Sequence, residues 1–155
     1  MKLIYLSVTV FWIILVSTLL SYGQCTTSIN PITGESIRYL HVQTNGPYEY
    51  ISLANDGQRI IFSLVNSIIV EPTFKVPAQT DIILKTSSGS LVYKTIGDSK
   101  GSSVGYSIWT TIEKGDIKKL IELEEVEFNT SKGLYKVKLK NIETRLFNTA
   151  LTCVY

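Results

Sequence analysis

Two kinds of hydrophobic pattern divide the chain. Residues 3–20 are almost continuously apolar and carry no charge, and the first charged residue after Lys2 is Glu35. Beyond residue 24, apolar and polar residues alternate in short runs separated by Gly, Pro, Asn and Ser, which is typical of β-strands joined by turns. The pattern therefore predicts an N-terminal segment that differs in kind from a β-rich remainder.

The N-terminal segment predicts export. A positive residue, an uncharged apolar core and small residues just beyond it are the features of a signal peptide. Ser21 and Gly23 would occupy the −3 and −1 positions of a cut before Gln24. The apolar core is also close to the length of a membrane span, so a retained anchor is the alternative. We expect a signal peptide over residues 1–23 and a single exported β-rich domain over residues 24–155.

Strand and turn signals fill most of the predicted domain. Asn55-Asp56-Gly57 is a strong hairpin signal, and residues 87–90 join the clearest predicted hairpin. Residues 71–77 and 97–103 are predicted to be loops. The apolar run over residues 58–70 is predicted as one long strand or as two that break near residue 66. The predicted strands cover residues 36–42, 48–54, 58–70, 80–86, 91–96, 104–109, 122–129 and 134–139.

The hydrophobic period becomes helical in two places. Ile117, Leu120 and Ile121 follow helical spacing, which predicts a short helix over residues 113–121 that starts at Thr110-Thr111-Ile112-Glu113. Asn141 is predicted to cap a C-terminal helix. Its apolar stripe would be Ile142, Leu146, Phe147, Ala150 and Leu151. The fold class is α+β but mostly β, an antiparallel sheet arranged as a sandwich or an open barrel.

Composition excludes several classes of function. The chain has 155 residues, with 15 Lys and Arg against 13 Asp and Glu, and a net charge of +2. A nucleic-acid-binding protein would carry a stronger basic excess. One His and two Cys cannot supply a four-ligand zinc site or the usual haem and iron–sulfur ligands. We therefore expect neither a metal nor a cofactor.

The two cysteines predict a disulfide. Cys25 and Cys153 lie near the two ends of the expected exported chain, and an exported protein meets an oxidising compartment. A bond between them would close a loop of over ~100 residues, for which the chain-entropy relation gives roughly 4–5 kcal/mol. The alternative is that the two thiols never meet.

Three segments resemble a family. They are N-P-I-T-G-E at residues 30–35, D-I-I-L-K-T-S-S-G-S-L-V-Y at 81–93, and Y-S-I at 106–108 followed by D-I-K-K-L-I and E-V-E-F-N-T-S-K-G. Together they resemble a group of small exported, uncharacterised (hypothetical) β-rich proteins of Gram-negative bacteria, over about residues 30–140. The resemblance implies export and a compact β-rich fold, and it transfers no catalytic or binding residue.

Acidic residues offer one candidate for catalysis. Glu122, Glu124, Glu125 and Glu127 follow the predicted short helix. Paired carboxylates hydrolyse glycosidic bonds, so a hydrolase of the cell envelope is one alternative function. Cross-strand pairing with nearby lysines (Lys118, Lys119, Lys136 and Lys138) is the structural alternative. His41 lies inside a predicted strand and is expected to be structural or on the surface.

Aromatic residues are the other candidates. Tyr48, Tyr50 and Trp109 could bind a glycan or a protein by stacking and hydrogen bonding, although Tyr is also simply a good strand residue. We expect a small exported, non-catalytic domain with a binding or structural role in the periplasm, in the outer envelope or outside the cell. Its expected partner is a protein or a glycan and not nucleic acid, with no membrane contact after signal cleavage. The alternatives are the hydrolase, a carrier of a small apolar ligand in a closed barrel, and a membrane-tethered subunit that retains residues 3–20.

Overall fold

The computed structural model describes residues 25–29, 34, 36–44, 48–55, 57, 59–68 and 73–154. The signal peptide expected over residues 1–23 lies outside these ranges. The described residues form eleven strands, one 3₁₀ helix and one α-helix. They are β1 (Thr26–Ile29), β2 (Ser36–Gln43), β3 (Glu49–Asn55), β4 (Ile60–Asn66), β5 (Phe74–Val76), β6 (Asp81–Thr86), β7 (Gly89–Lys94), β8 (Ser99–Gly101), β9 (Tyr106–Ile112), the 3₁₀ helix (Lys114–Leu120), β10 (Leu123–Thr130), β11 (Gly133–Lys138) and α1 (Asn141–Val154).

The strands form two main antiparallel sheets. The five-stranded sheet has the order β1-β2-β3-β4-β9, the four-stranded sheet has the order β11-β10-β6-β7, and β5 pairs with β8 in a short ribbon. A bridge between Thr95 and Thr110 joins the end of β7 to β9, so the two sheets meet at one corner. On the other side α1 lies against β2, β3 and β10. The described sheets do not close into a barrel, and the predicted α+β, mostly β class is confirmed.

The core lies between the inner faces of the sheets and α1. Strand alternation places every second residue inward, so that β4 buries Ile60, Phe62 and Leu64. From the helix, Phe147 meets Phe62 edge to face, with ring centroids 6.5 Å apart. Each fully buried large apolar side chain contributes ~1.5–3 kcal/mol, so these inward rows account for the association of sheet and helix.

Four aromatic rings fill one end of this core. Phe74, Tyr106, Phe128 and Tyr135 come from four different strands, with ring centroids 5.1–6.5 Å apart. Phe74 reaches the cluster because β5 pairs with β8, where Gly101 stands opposite it. A Cβ atom on Gly101 would lie 2.4 Å from Phe74 Cε1, so glycine is required at that position.

Local turn chemistry correctly predicted the hairpins. The side-chain oxygen of Asn55 accepts a hydrogen bond of 2.8 Å from the backbone N–H of Gly57, and β3 and β4 pair on either side of this turn. The predicted hairpin over residues 80–96 is confirmed as β6 and β7. The run over residues 58–70 was predicted as one strand or as two that break near residue 66. It forms β4, which ends at Asn66, and residues 69–72 lie outside the described ranges.

Two predicted loops contain strands, and the short helix differs in type. Residues 74–76 and 99–101 form β5 and β8, because each supplies backbone partners to the other although neither run is long. The short helix is a 3₁₀ helix that begins after Glu113. Thr110 and Thr111, which were predicted to start it, belong to β9, where Thr110 is fully buried.

The C-terminal helix is rotated relative to its predicted stripe. Ile142 is 67% exposed, whereas Glu143 is buried, and its carboxylate accepts a hydrogen bond of 2.7 Å from the backbone N–H of Lys140. This bond satisfies a donor at the start of the helix, as acidic residues in a first helical turn commonly do. The predicted burial of Ile142 is therefore wrong, while that of Phe147 and Leu151 is confirmed.

A disulfide joins the two ends of the described chain. Cys25 and Cys153 are bonded, with Cα atoms 5.6 Å apart and a sequence separation of 128. Beside this bond the buried side-chain amide of Asn55 donates a hydrogen bond of 2.6 Å to the carbonyl oxygen of Val154. The end of α1 is thus fixed both to the segment before β1 and to the end of β3. Within the described ranges, no helix has the length and apolar character needed to cross a bilayer.

Candidate functional site

The outward surface of the five-stranded sheet forms three rows across β2, β3, β4 and β9. Strand register places residues with the same orientation side by side in these rows. We call this surface the uncharged face, since none of its twelve described strand positions holds a charged residue. The rows are Tyr39–Ala54–Ile61–Thr111, His41–Ser52–Ser63–Trp109 and Gln43–Tyr50–Val65–Ser107.

One end of the uncharged face carries three aromatic rings in contact. His41 lies between Tyr39 and Tyr50, with ring centroids 5.4 and 5.1 Å away. The contact with Tyr50 is edge to face, a favourable arrangement for two aromatic rings. Desolvation lowers the pKa of His41 below its usual value of 6.5, so the imidazole is neutral at pH 7 and the face stays uncharged.

The other end carries Trp109. Its side chain is 54% exposed, and its indole N–H donates a hydrogen bond to the hydroxyl of Ser107 two residues earlier on β9. Three strand spacings separate Trp109 from His41 in the same row, which corresponds to about 14 Å. The two positions between them are Ser52 and Ser63. The middle row therefore has two small hydroxyl side chains between aromatic rings, and the neighbouring rows flank them mainly with aliphatic side chains.

The three aromatic candidates from the sequence occupy different places. Tyr50 and Trp109 both lie on the uncharged face, in neighbouring rows. Tyr48 lies in the turn one residue before β3 and is 54% exposed. Alternation places Tyr39 and His41 on one side of β2, but the pairing of β2 with β3 that sets Tyr50 beside His41 was not predicted.

The outward surface of the four-stranded sheet has the opposite chemistry. Glu127 and Glu125 of β10 lie between Lys85 of β6 and two lysines of β11, Lys136 and Lys138. Lys85 Nζ is 2.8 Å from Glu127 Oε1 and 3.1 Å from Glu125 Oε1. Lys136 Nζ pairs with Glu127, and Lys138 Nζ is 3.8 Å from Glu125 Oε2. We call this five-residue network the charged face.

The charged face holds the carboxylate of Glu127 ionised. The side chain of Glu127 is only 6% exposed, and hydrogen bonds from Lys136 and then Lys85 lower its pKa to about 2. The same contact with Glu127 raises the pKa of Lys85. A general acid needs a raised carboxyl pKa instead. The predicted cross-strand pairing with Lys136 and Lys138 is confirmed, whereas Lys119 pairs with Asp116 in the 3₁₀ helix.

The other glutamates of the sequence cluster line a cleft beside α1. Glu122, Glu124 and Glu125 share this open space of about 650 Å³ with Lys138 and with Arg145 of α1. Glu122 has a backbone φ of 62°, in the left-handed region that a residue with a side chain rarely adopts. Its backbone N–H donates to the side-chain oxygen of Asn148, and its carboxylate accepts a bond from the hydroxyl of Ser87.

A buried network of polar side chains around Glu49 was not predicted. Glu49 is buried, and its carboxylate accepts hydrogen bonds from the hydroxyl of Thr44 at 2.9 Å, the hydroxyl of Tyr106 at 3.1 Å and the amide of Asn66 at 3.4 Å. Burial, followed by the nearby charge of Glu49, raises the pKa of Tyr106. This group links β3 to β4 and β9 from within, as a satisfied buried polar network does.

No family model, no curated protein and no solved structure matches this chain. The resemblance to small exported proteins therefore stays a prediction. Among the described residues, no group of three or more His, Cys, Asp or Glu side chains is placed to hold a metal ion. The uncharged face and the cleft beside α1 are the two surfaces from which a function can be inferred.

Proposed function

We propose that the chain is a small exported, non-catalytic binding domain that works at the cell envelope or outside the cell, and that it binds through the uncharged face. The apolar segment over residues 3–20 supports export. The disulfide between Cys25 and Cys153 also supports it, because such bonds persist in oxidising compartments.

The observation that carries the proposal is the absence of charge from twelve described outward positions of four adjacent strands. The solvent-exposed face of an antiparallel sheet usually carries polar and charged side chains, as the charged face does. An uncharged surface with exposed aromatic residues instead marks an interaction site. Trp and Tyr are the side chains that supply most binding energy at such sites.

Binding to envelope material tests the proposed surface. Wild-type protein and the variants Trp109→Ala and Ser63→Lys would be sedimented with envelope fractions of the source organism. Ser103→Lys, in the exposed turn between β8 and β9, is the control for an added lysine. We expect the wild type and the control to sediment, and the two face variants to stay in solution. Equal sedimentation of all four proteins would contradict the proposal.

Intact mass tests the proposed export. Protein recovered from the native envelope or culture medium should have a mass that starts at Gln24. Alkylation should label Cys25 and Cys153 only after reduction. A mass that retains residues 1–23 would instead indicate a tethered protein.

A hydrolase at the cleft beside α1 is the second candidate function. The left-handed backbone of Glu122 favours it, since strained residues often lie at functional sites. Its test is release of reducing sugar from envelope polysaccharides by wild type and Glu122→Gln. The apolar-ligand carrier has less support, because the described sheets do not form a closed barrel and four aromatic rings fill one end of the interior.

A further inference from the structure

We infer that the ligand of the uncharged face is a neutral oligosaccharide that lies across the strands, from the rings of Tyr39, His41 and Tyr50 at one end to Trp109 at the other. This inference rests on the proposed function and names the chemistry of the partner.

The absence of charge from the face favours a neutral ligand. A charged group brought onto the uncharged face loses water and finds no opposite charge among the twelve strand positions. Such uncompensated desolvation is unfavourable, so nucleic acids, anionic lipid surfaces and acidic polysaccharides fit poorly. Folded protein partners usually bring Arg, Lys, Asp or Glu at the rim of their interfaces, and the twelve strand positions offer those groups no opposite charge. A neutral ligand avoids this cost.

The distance between the aromatic ends favours an extended ligand. The two aromatic ends lie about 14 Å apart across β2 to β9, which is too far for one small ring to contact both. The positions between them in the middle row are Ser52, which is buried, and Ser63, which is half-buried, so no long side chain stands between the rings in that row. A chain of several flat units can span this distance and place one unit against each aromatic end.

The hydroxyl groups and aromatic rings of the face suit the hydrogen-bonding groups and the C–H groups of a sugar. A pyranose unit presents C–H groups on its face and hydroxyl groups around its edge. The C–H groups suit the negative face of an aromatic ring. Serine and threonine hydroxyls can both donate and accept hydrogen bonds, and the partly exposed Ser63 and Thr111 supply them along the face. Rings at the ends and hydroxyls between them therefore match an oligosaccharide in both parts of its chemistry.

The aromatic side chains of the face are held in place before any ligand binds. The indole of Trp109 is tied to Ser107, and His41 is held between Tyr39 and Tyr50. Rings that are already ordered lose little conformational freedom on binding. This is the arrangement expected of a preformed surface for an extended ligand.

Affinity electrophoresis tests the inference. Wild type, Trp109→Ala, Trp109→Tyr, Ser63→Lys and the control Ser103→Lys would be run in native gels that contain hydroxyethylcellulose, xylan, mannan, glycogen or the acidic polymer alginate. We expect at least one neutral polysaccharide to retard wild type and control. Trp109→Ala should weaken that binding by at least about tenfold, as the loss of one stacking ring does, and Trp109→Tyr should restore part of it. Circular dichroism verifies that each variant is folded.

Several outcomes would overturn the inference. One is that no neutral polysaccharide retards the wild type, and another is that only alginate does so in a salt-sensitive way. If the face variants still fail to sediment with envelopes in either case, the proposed function stands without the oligosaccharide. A dimer in sedimentation velocity that Ser63→Lys converts to monomer would instead identify a second copy of the chain as the occupant. If neither polysaccharide nor envelope material distinguishes the variants, both proposals fail.

Discussion

The outward faces of the two sheets differ in charge. On the four-stranded sheet, Glu125 and Glu127 are bonded to lysines from both neighbouring strands. On the five-stranded sheet, hydroxyl, aromatic and aliphatic side chains take the equivalent outward positions. The charged face satisfies itself, since each carboxylate already has its cations. The uncharged face has chemistry that a second molecule can complete, which is why we assign stability to one face and propose binding at the other.

Loss of the disulfide should have the largest effect, and it should act on the five-stranded sheet first. Reduction, or the double variant Cys25→Ser/Cys153→Ser, frees the segment before β1 from the end of α1. The chain-entropy relation predicts a loss of roughly 4–5 kcal/mol in the free energy of unfolding. Urea unfolding gives the total, and hydrogen exchange should show β1 and β2 losing protection before β6 and β10. Equal loss of protection in both sheets would argue against this difference between them.

A lysine at the centre of each face compares the two most directly. Glu127→Lys removes the shared partner of Lys85 and Lys136 and sets three cations together, so we expect Tm to fall by on the order of 10 °C. Ser63→Lys adds one cation to a surface without others and should change the free energy of unfolding by under ~0.5 kcal/mol, although it abolishes binding. Thermal unfolding followed by circular dichroism measures both. A similar fall in Tm for the two variants would remove the distinction.

Acid should weaken the charged face in a defined pH range. The pKa of Glu127 is about 2 in the folded protein against a usual 4.5, so the unfolded chain binds more protons between these values. The stabilisation from this carboxylate is therefore complete above pH 4.5 and is lost as the pH falls through 2. Urea unfolding of wild type and Glu127→Gln from pH 7 to 2 should show a shallower pH dependence for the variant. Parallel curves would show that Glu127 does not titrate in this way.

The smallest effect concerns the single histidine on the uncharged face. Because desolvation lowers the pKa of His41, the unfolded chain takes up this proton at a higher pH than the folded protein does. Stability should therefore decline slightly as the pH falls below 6.5. An NMR titration of the imidazole in the folded protein should give a midpoint below that value. A midpoint above 6.5 would mean that a negative group lies nearby and that the face is not neutral.

Local signals account for the part of the fold that the sequence predicted. The turn at Asn55 and Gly57 carries its own hydrogen bond, and the β6–β7 hairpin joins strands that are adjacent in the sequence. Pairing between distant segments was harder. Residues 99–101 contain no apolar side chain, and they become a strand only because residues 74–76 lie beside them. The orientation of α1 also depended on tertiary contacts, which bury Glu143 and expose Ile142.

The candidate surface was predicted in part for the same reason. Exposure of Trp109 follows from the alternation of β9, and the pairing of Glu125 and Glu127 with lysines follows from one hairpin. To predict the ring cluster around His41, the register between β2 and β3 must be known. To predict Lys85 as the third cation, the pairing of β10 with β6 must be known. Register across four strands cannot be read from any single run of residues, and the uncharged character of the face appears only when the rows are assembled.

The bond between Cys25 and Cys153 also decides how the domain responds to mechanical load. A pull on the chain beyond these two residues passes directly from one cysteine to the other, over the 5.6 Å between their Cα atoms. The sheets and α1 lie inside the closed loop and carry none of that tension. In the reduced protein the same loop could extend by roughly 400 Å. While the disulfide is oxidised, tension applied at its two cysteines therefore leaves the two sheets and the aromatic surface unextended.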